Sequence, residues 1–105
     1  MSDIIEKMIT LFDVIKHKQE IVKQRKEKYR QFAINNIQQN VIKYSEDKSE
    51  MTVIYSDGGG FNDLNEFKYI CSDAVKEIKM RDFKYRFEKE VTNGCEHYKL
   101  VIFGW

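Results

Sequence analysis

Three features of the chain predict an α+β fold: a C-terminal β-hairpin announced by Asn93-Gly94, a helical apolar stripe through the first 44 residues, and a strand, glycine run and capped helix between them. Asn-Gly is the strongest short signal for a two-residue type I′ turn, because both central residues must take positive φ. That turn sets a register in which Thr92 faces Cys95, Glu90 faces His97, Glu88 faces Lys99 and Phe87 faces Leu100. Phe83, Tyr85, Phe87 and Val91 then share a face with Tyr98, Leu100 and Ile102. Opposite charges meet across the other face at Glu88/Lys99 and Glu90/His97.

The N-terminal segment comes first in the chain. Ser2 or Asp3 caps a helix start, and Ile4, Met8, Leu11, Ile15, Val22, Tyr29, Ala33, Ile37, Val41 and Tyr44 follow at steps of three, four or seven. The chain has no proline, and no glycine precedes Gly58. One helix from Ile4 to Tyr44 would be about 60 Å long, against a radius of gyration of ~13 Å for a compact domain of this size. Either the segment breaks near His17 to Gln24 and forms an α-hairpin, or it stays long and buries its overhang against another copy of the chain.

Ser45 to Glu50 is a polar exit loop, and Met51 to Ser56 reads as a strand rich in residues that favour a pleated surface. Asp57-Gly58-Gly59-Gly60 ends it. A second helix opens at Asn62 or Asp63, where Asp63 and Glu66 form a capping-box-like pair. It carries Leu64, Phe67, Cys71, Ala74 and Ile78 inward and ends near Arg81. The last strand, Tyr98 to Phe103, is apolar on both faces and belongs at the centre of the sheet. A right-handed crossover then gives the order first, third, second, with the third strand antiparallel to both neighbours. The second helix covers the Phe87/Leu100 face, and the N-terminal segment is expected to cover the opposite one.

At 105 residues, 42% hydrophobic and 33% charged, the chain suits one small globular domain, residues 1–105, with a helical part over 1–44 and a β-α-β-β unit over 51–105. No apolar run approaches a membrane span and no secretory leader pattern is present, so an intracellular protein with two reduced thiols is expected. Lysine outnumbers arginine 14 to 4 and isoleucine outnumbers leucine 12 to 3. AT-rich coding sequences impose this usage, as in some bacteria, phages and large DNA viruses.

Little in the sequence assembles chemistry. The Gly58-Gly59-Gly60 loop precedes a helix, but no Gly-Lys-Ser/Thr follows, and Asp57 and Asp63 flank it, which disfavours phosphate. His97 lies two residues after Cys95, with only His17 and Cys71 left as thiol or imidazole partners, too few for a zinc tetrahedron. No base is held by a second group in a recognisable arrangement. The sequence therefore predicts a non-enzymatic protein with no catalytic, metal or cofactor residues.

Two surfaces remain. Lys16 to Arg30 holds seven lysines or arginines against Glu20 and Glu27, a local charge of +5 in fifteen residues. Lys23, Arg25, Lys26, Lys28 and Arg30 are the residues a nucleic-acid-binding accessory protein would use. The other surface is the apolar stripe itself, whose middle carries Ile21, Val22 and Tyr29 beyond the reach of a small sheet. Burying them against a second copy gives an isologous homodimer. The favoured reading is a small interaction protein, either an oligomer-forming structural subunit or a protein-binding inhibitor. Nucleic-acid binding is the alternative.

Overall fold

The central strand organises the observed structure, a computed structural model that describes residues 9–56 and 61–105. In chain order the elements are α1 (Leu11–Tyr44), β1 (Glu50–Tyr55), α2 (Leu64–Ile70), α3 (Ser72–Met80), β2 (Lys84–Thr92) and β3 (Cys95–Phe103). The three strands form one antiparallel sheet in the order β1-β3-β2. The hairpin register is the one the turn dictates: Thr92 opposes Cys95, Glu90 His97, Glu88 Lys99 and Phe87 Leu100. Asn93 and Gly94 both have positive φ, at 53° and 78°.

β1 pairs with β3 through a bulge between Thr52 and Ile54. A bulge inserts one unpaired residue and bends the strand. Here it turns both Val53 and Ile54 into the core. The carbonyl of Val53 accepts from Asn36 Nδ2 at 2.9 Å, and Asn40 Nδ2 donates to Asn36 Oδ1 at 3.1 Å. The bulge thus fastens α1 to the sheet edge. Past β1, Ser56 extends the pairing with Tyr98 through its backbone N–H and its hydroxyl, each at 2.8 Å.

All three helices contribute to a single cluster on one sheet face. Ala33 and Ile37 of α1 meet Phe67, Cys71, Ala74 and Ile78 of the α2–α3 segment over Tyr98, Leu100 and Ile102. The N-terminal segment therefore does not cover the opposite face as expected. That face is closed by its own side chains: Arg86 lies over the Phe103 ring at 5.5 Å and bonds Glu50 at 2.7 Å, and it also pairs with Glu88. Beneath this layer Val101 is buried without belonging to the core cluster. An ion-paired lid of long side chains has taken the place of a helix.

Four further expectations change. Val91 is exposed at the hairpin end instead of joining the core face. The second helix is interrupted at Cys71, giving α2 and α3. Asp63 caps α2 through Glu66 N at 2.9 Å, but the Glu66 carboxylate returns to Asn62, one residue upstream of the expected box. Lys99 bonds Glu90 at 2.8 Å, on the diagonal, and Glu88 turns to Arg86. The twist of a two-stranded ribbon draws such diagonal neighbours together.

α1 is one continuous helix of 34 residues, about 51 Å long. It starts at Leu11 behind a complete capping box between Thr10 and Asp13. The expected cap at Ser2 or Asp3 and the stripe positions Ile4 and Met8 lie outside the described residues. Of the two resolutions the length demanded, the α-hairpin is not the one adopted. The helix is buried only at Ala33 and Ile37, so its N-terminal third projects past the domain. A radius of gyration of 18.0 Å and extents of 65 × 34 × 19 Å follow from that overhang.

α3 ends in a Schellman motif: Phe83 N–H bonds Ile78 O at 3.2 Å and Asp82 N–H bonds Lys79 O at 3.0 Å. The motif requires a left-handed residue, and Asp82 fills it with φ 64°. A Cβ in that region is unfavourable, and glycine carries none. Asp82→Gly is accordingly expected to stabilise the protein by about 0.5–1 kcal/mol, read as an upward shift of the urea midpoint; a downward shift would show that the aspartate side chain contributes more than the strain it causes.

Candidate functional site

The overhang of α1 and the groove beneath it make up the candidate site. Ile15, Val22 and Tyr29 recur every seven residues and lie in one column that leads, four residues at a time, to Ala33 and Ile37. The buried face of α1 therefore continues outward as an uncovered apolar seam. Along this overhang Leu11 is 75% exposed, Phe12 72% and Ile15 46%. Val14 and Ile21 are exposed on the adjoining side.

The three residues expected to lie beyond the domain separate in the structure. Tyr29 belongs to the domain: its ring meets Phe61 at 5.9 Å and Phe67 at 6.4 Å, at the rim of the core. Val22 is half-buried at the end of the domain, and Ile21 is exposed. The free stretch thus begins about two turns earlier in the chain than the sequence reading placed it. The signal that locates it is the point where helical partners for α1 run out, which no periodicity in α1 alone reveals.

Where α1 leaves the domain, an open groove of about 370 Å³ runs between Lys18, Gln19, Val22, Lys23 and Lys26 on one side and Tyr69 and Asp73 on the other. Lys26 Nζ stands 4.0 Å above the Tyr69 ring. Asp73 has a partner of its own in Lys76 at 3.8 Å.

The basic stretch does not form one platform. Arg30 is clamped between Glu77, at 2.8 Å, and Glu27, at 3.0 Å. Its guanidinium is held above its ordinary pKa by those carboxylates, Glu77 first. Arg25 lies 4.7 Å over the Phe61 ring, and Lys28 leans toward Phe32 at 5.7 Å. The Arg25 and Arg30 contacts tie α1 to Phe61 and to α3 through the charged ends of the side chains, whereas the Lys28 contact stays within α1. Lys23 lines the groove.

The sheet face away from the helices carries a second set of basic residues. Its Lys84, Arg86, His97 and Lys99 are interleaved with Val101 and Phe103. Arg86 and Lys99 are occupied by Glu50, Glu88 and Glu90. His97 stacks on Tyr55 at 5.5 Å with its Nδ1 3.3 Å from the Ser56 carbonyl. Trp105 lies elsewhere, with Nε1 donating to Lys48 O at 2.8 Å and its ring edge-on to Phe83. Lys99 holds the Glu90 carboxyl below its usual range. The pair is therefore intact at neutral pH and is lost as pH falls through that lowered range.

The Gly58-Gly59-Gly60 loop lies outside the described residues. Among the described residues no three His, Cys, Asp or Glu side chains gather so as to hold a metal ion, and no helix is long and apolar enough to cross a membrane. Comparison with protein-family models, with curated proteins and with solved structures gives no match to this chain.

Both cysteines are free. Burial pushes the Cys71 thiol up to about 12, so at neutral pH it is protonated and inert. Cys95 is exposed in the hairpin. A thiol-disulfide reagent at pH 8 is expected to modify one thiol promptly in the native protein and the second only on unfolding, and Cys95→Ser should abolish the prompt phase. Two prompt thiols would place Cys71 outside the core.

Proposed function

We propose that this chain is a small non-enzymatic interaction protein whose contact element is the overhanging N-terminal part of α1. One observation carries the reading: the face that buries Ala33 and Ile37 continues past half-buried Val22 to Ile15 and Leu11, which nothing in the described chain covers. Isolated exposed apolar residues are ordinary on protein surfaces, but a contiguous column in register with a buried face marks a surface for a partner. The capping box at Thr10 supports the same reading, since it stabilises the far end of a helix whose buried residues, Ala33 and Ile37, lie far along it.

The nucleic-acid alternative has less support. Of its five residues, Arg30 is held by two carboxylates and Arg25 rests on the Phe61 ring. A surface built for counterion release leaves its cations in solvent.

If the seam serves a partner, it contributes little to the fold of the chain alone. Leu11→Ala and Ile15→Ala are expected to leave the unfolding free energy within about 0.5 kcal/mol of the parent at low protein concentration, whereas Ile37→Ala costs about 2–5 kcal/mol. Denaturant unfolding at two protein concentrations checks this. A concentration-dependent stability in the parent, lost in the variants, identifies a second copy as the partner and agrees with the proposal. A core-sized loss at every concentration would assign the seam to the chain's own fold and end it.

A further inference from the structure

The charges around the seam are segregated, and the segregation specifies what the seam accepts. At 100° per residue, Lys18 and Lys26 flank Val22 by about 40° on either side. Lys16 and Lys23 lie about 100° round from Ile15 and Val22. The carboxylates occupy a separate column: Asp13, Glu20 and Glu27 follow one another every seven residues, about 160° from Ile15, Val22 and Tyr29. The seam is therefore apolar along its centre, with Lys18 beside Val14 and Ile21 on one flank, Lys16, Lys23 and Lys26 on the other, and Asp13, Glu20 and Glu27 on the back of the helix. The groove at its inner end repeats the pattern, with Val22 and Tyr69 lining it beside Lys18, Lys23 and Lys26. Asp73, the only carboxylate among the described residues that line the groove, is shared with Lys76.

We infer that this seam and groove dock an amphipathic helix of another protein whose apolar stripe is flanked by glutamates or aspartates. The inference rests on the interaction reading above and names the chemistry of its partner. Helix-in-groove recognition supplies the mode: apolar anchors at i, i+3, i+4 and i+7 seat on Leu11, Ile15 and Val22, and the acidic flanks meet the lysines. Charge complementarity is the reason a second copy is not the occupant. A copy laid antiparallel with its Val22 at the groove would set Lys18 of each chain against Lys26 of the other, twice, with no carboxylate on either seam to relieve them. Like charges so placed select against a partner.

Two three-heptad peptides of equal length provide the probe, both with leucine at a and d, one with glutamate at e and g and the other with lysine. Binding of each to the full chain is followed by fluorescence anisotropy, beside sedimentation of the chain alone. The glutamate peptide is expected to bind at least about tenfold more tightly than the lysine peptide. That preference should weaken as salt rises and reverse in the double variant Lys18→Glu/Lys26→Glu. Ile15→Ser/Val22→Ser should abolish binding of either peptide with the helix content of the chain unchanged. Equal binding of the two peptides, no binding of either, or a preference that survives the charge reversal would overturn the inference. So would displacement of the glutamate peptide by single-stranded DNA at matched charge, or a seam-dependent dimer in sedimentation. A failed peptide test leaves the interaction reading standing if the seam alanines are still neutral for folding; a core-sized loss there removes both.

Discussion

The central strand β3 bears the fold because it is bonded on both edges and covered on both faces. Leu100, Val101 and Ile102 are all but inaccessible in succession, a condition that otherwise belongs to strands of parallel sheets with helices on each side. Here one face is covered by three helices and the other by a layer of arginine, lysine and glutamate side chains. The sheet therefore needs helical cover on a single face only. With three strands, that face is satisfied by α2, α3 and the second half of α1. The first third of α1 has no sheet left to meet, and the overhang follows from this mismatch of sizes.

Much of this was legible in the residues. The hairpin was, because its turn, register and cross-strand pairs are all local, and each constrains the others. The sheet order followed from the two-sided apolarity of Tyr98 to Phe103 together with the handedness of the crossover. Continuity of α1 was left open between two outcomes, because a helix without proline or glycine can still fold back at a polar stretch such as His17 to Gln24. What decided against the hairpin is tertiary. Arg25, Lys26, Tyr29 and Arg30 each find a partner on the α2–α3 side or at Phe61, which anchors the helix directly after the stretch where a break was plausible and leaves no return path for a second helix on that face.

The side of the sheet on which α1 packs was not legible. The bulge at Val53 turns two consecutive residues inward and presents a carbonyl to Asn36. A single sequence reads as plain alternation or as a short apolar run there, and neither reveals the bulge. The pairing of the basic cluster was hidden for a related reason. Charge counts along a helix register how many cations there are, and not that the Arg25 and Lys26 heads lie over Phe61 and Tyr69 or that Glu77 comes from 47 residues away. The separation of carboxylates from the seam is visible in the sequence once the heptad columns are laid out, but its meaning depends on knowing which column is buried further along the helix.

The account makes α1 a single helix with two energetic regimes, anchored over its C-terminal half and unsupported where it projects. A helix without tertiary packing is marginal in water, and local opening should follow that boundary. Native-state hydrogen exchange of the free monomer, resolved by residue along α1, measures this most directly. Amides from Ala33 to Tyr44 other than the fraying last turn should exchange near the global unfolding limit, with protection falling steeply on the N-terminal side of Val22. Protection of residues 14–21 as high as that of the buried half would contradict the account, because it would mean that the seam is already covered within the chain.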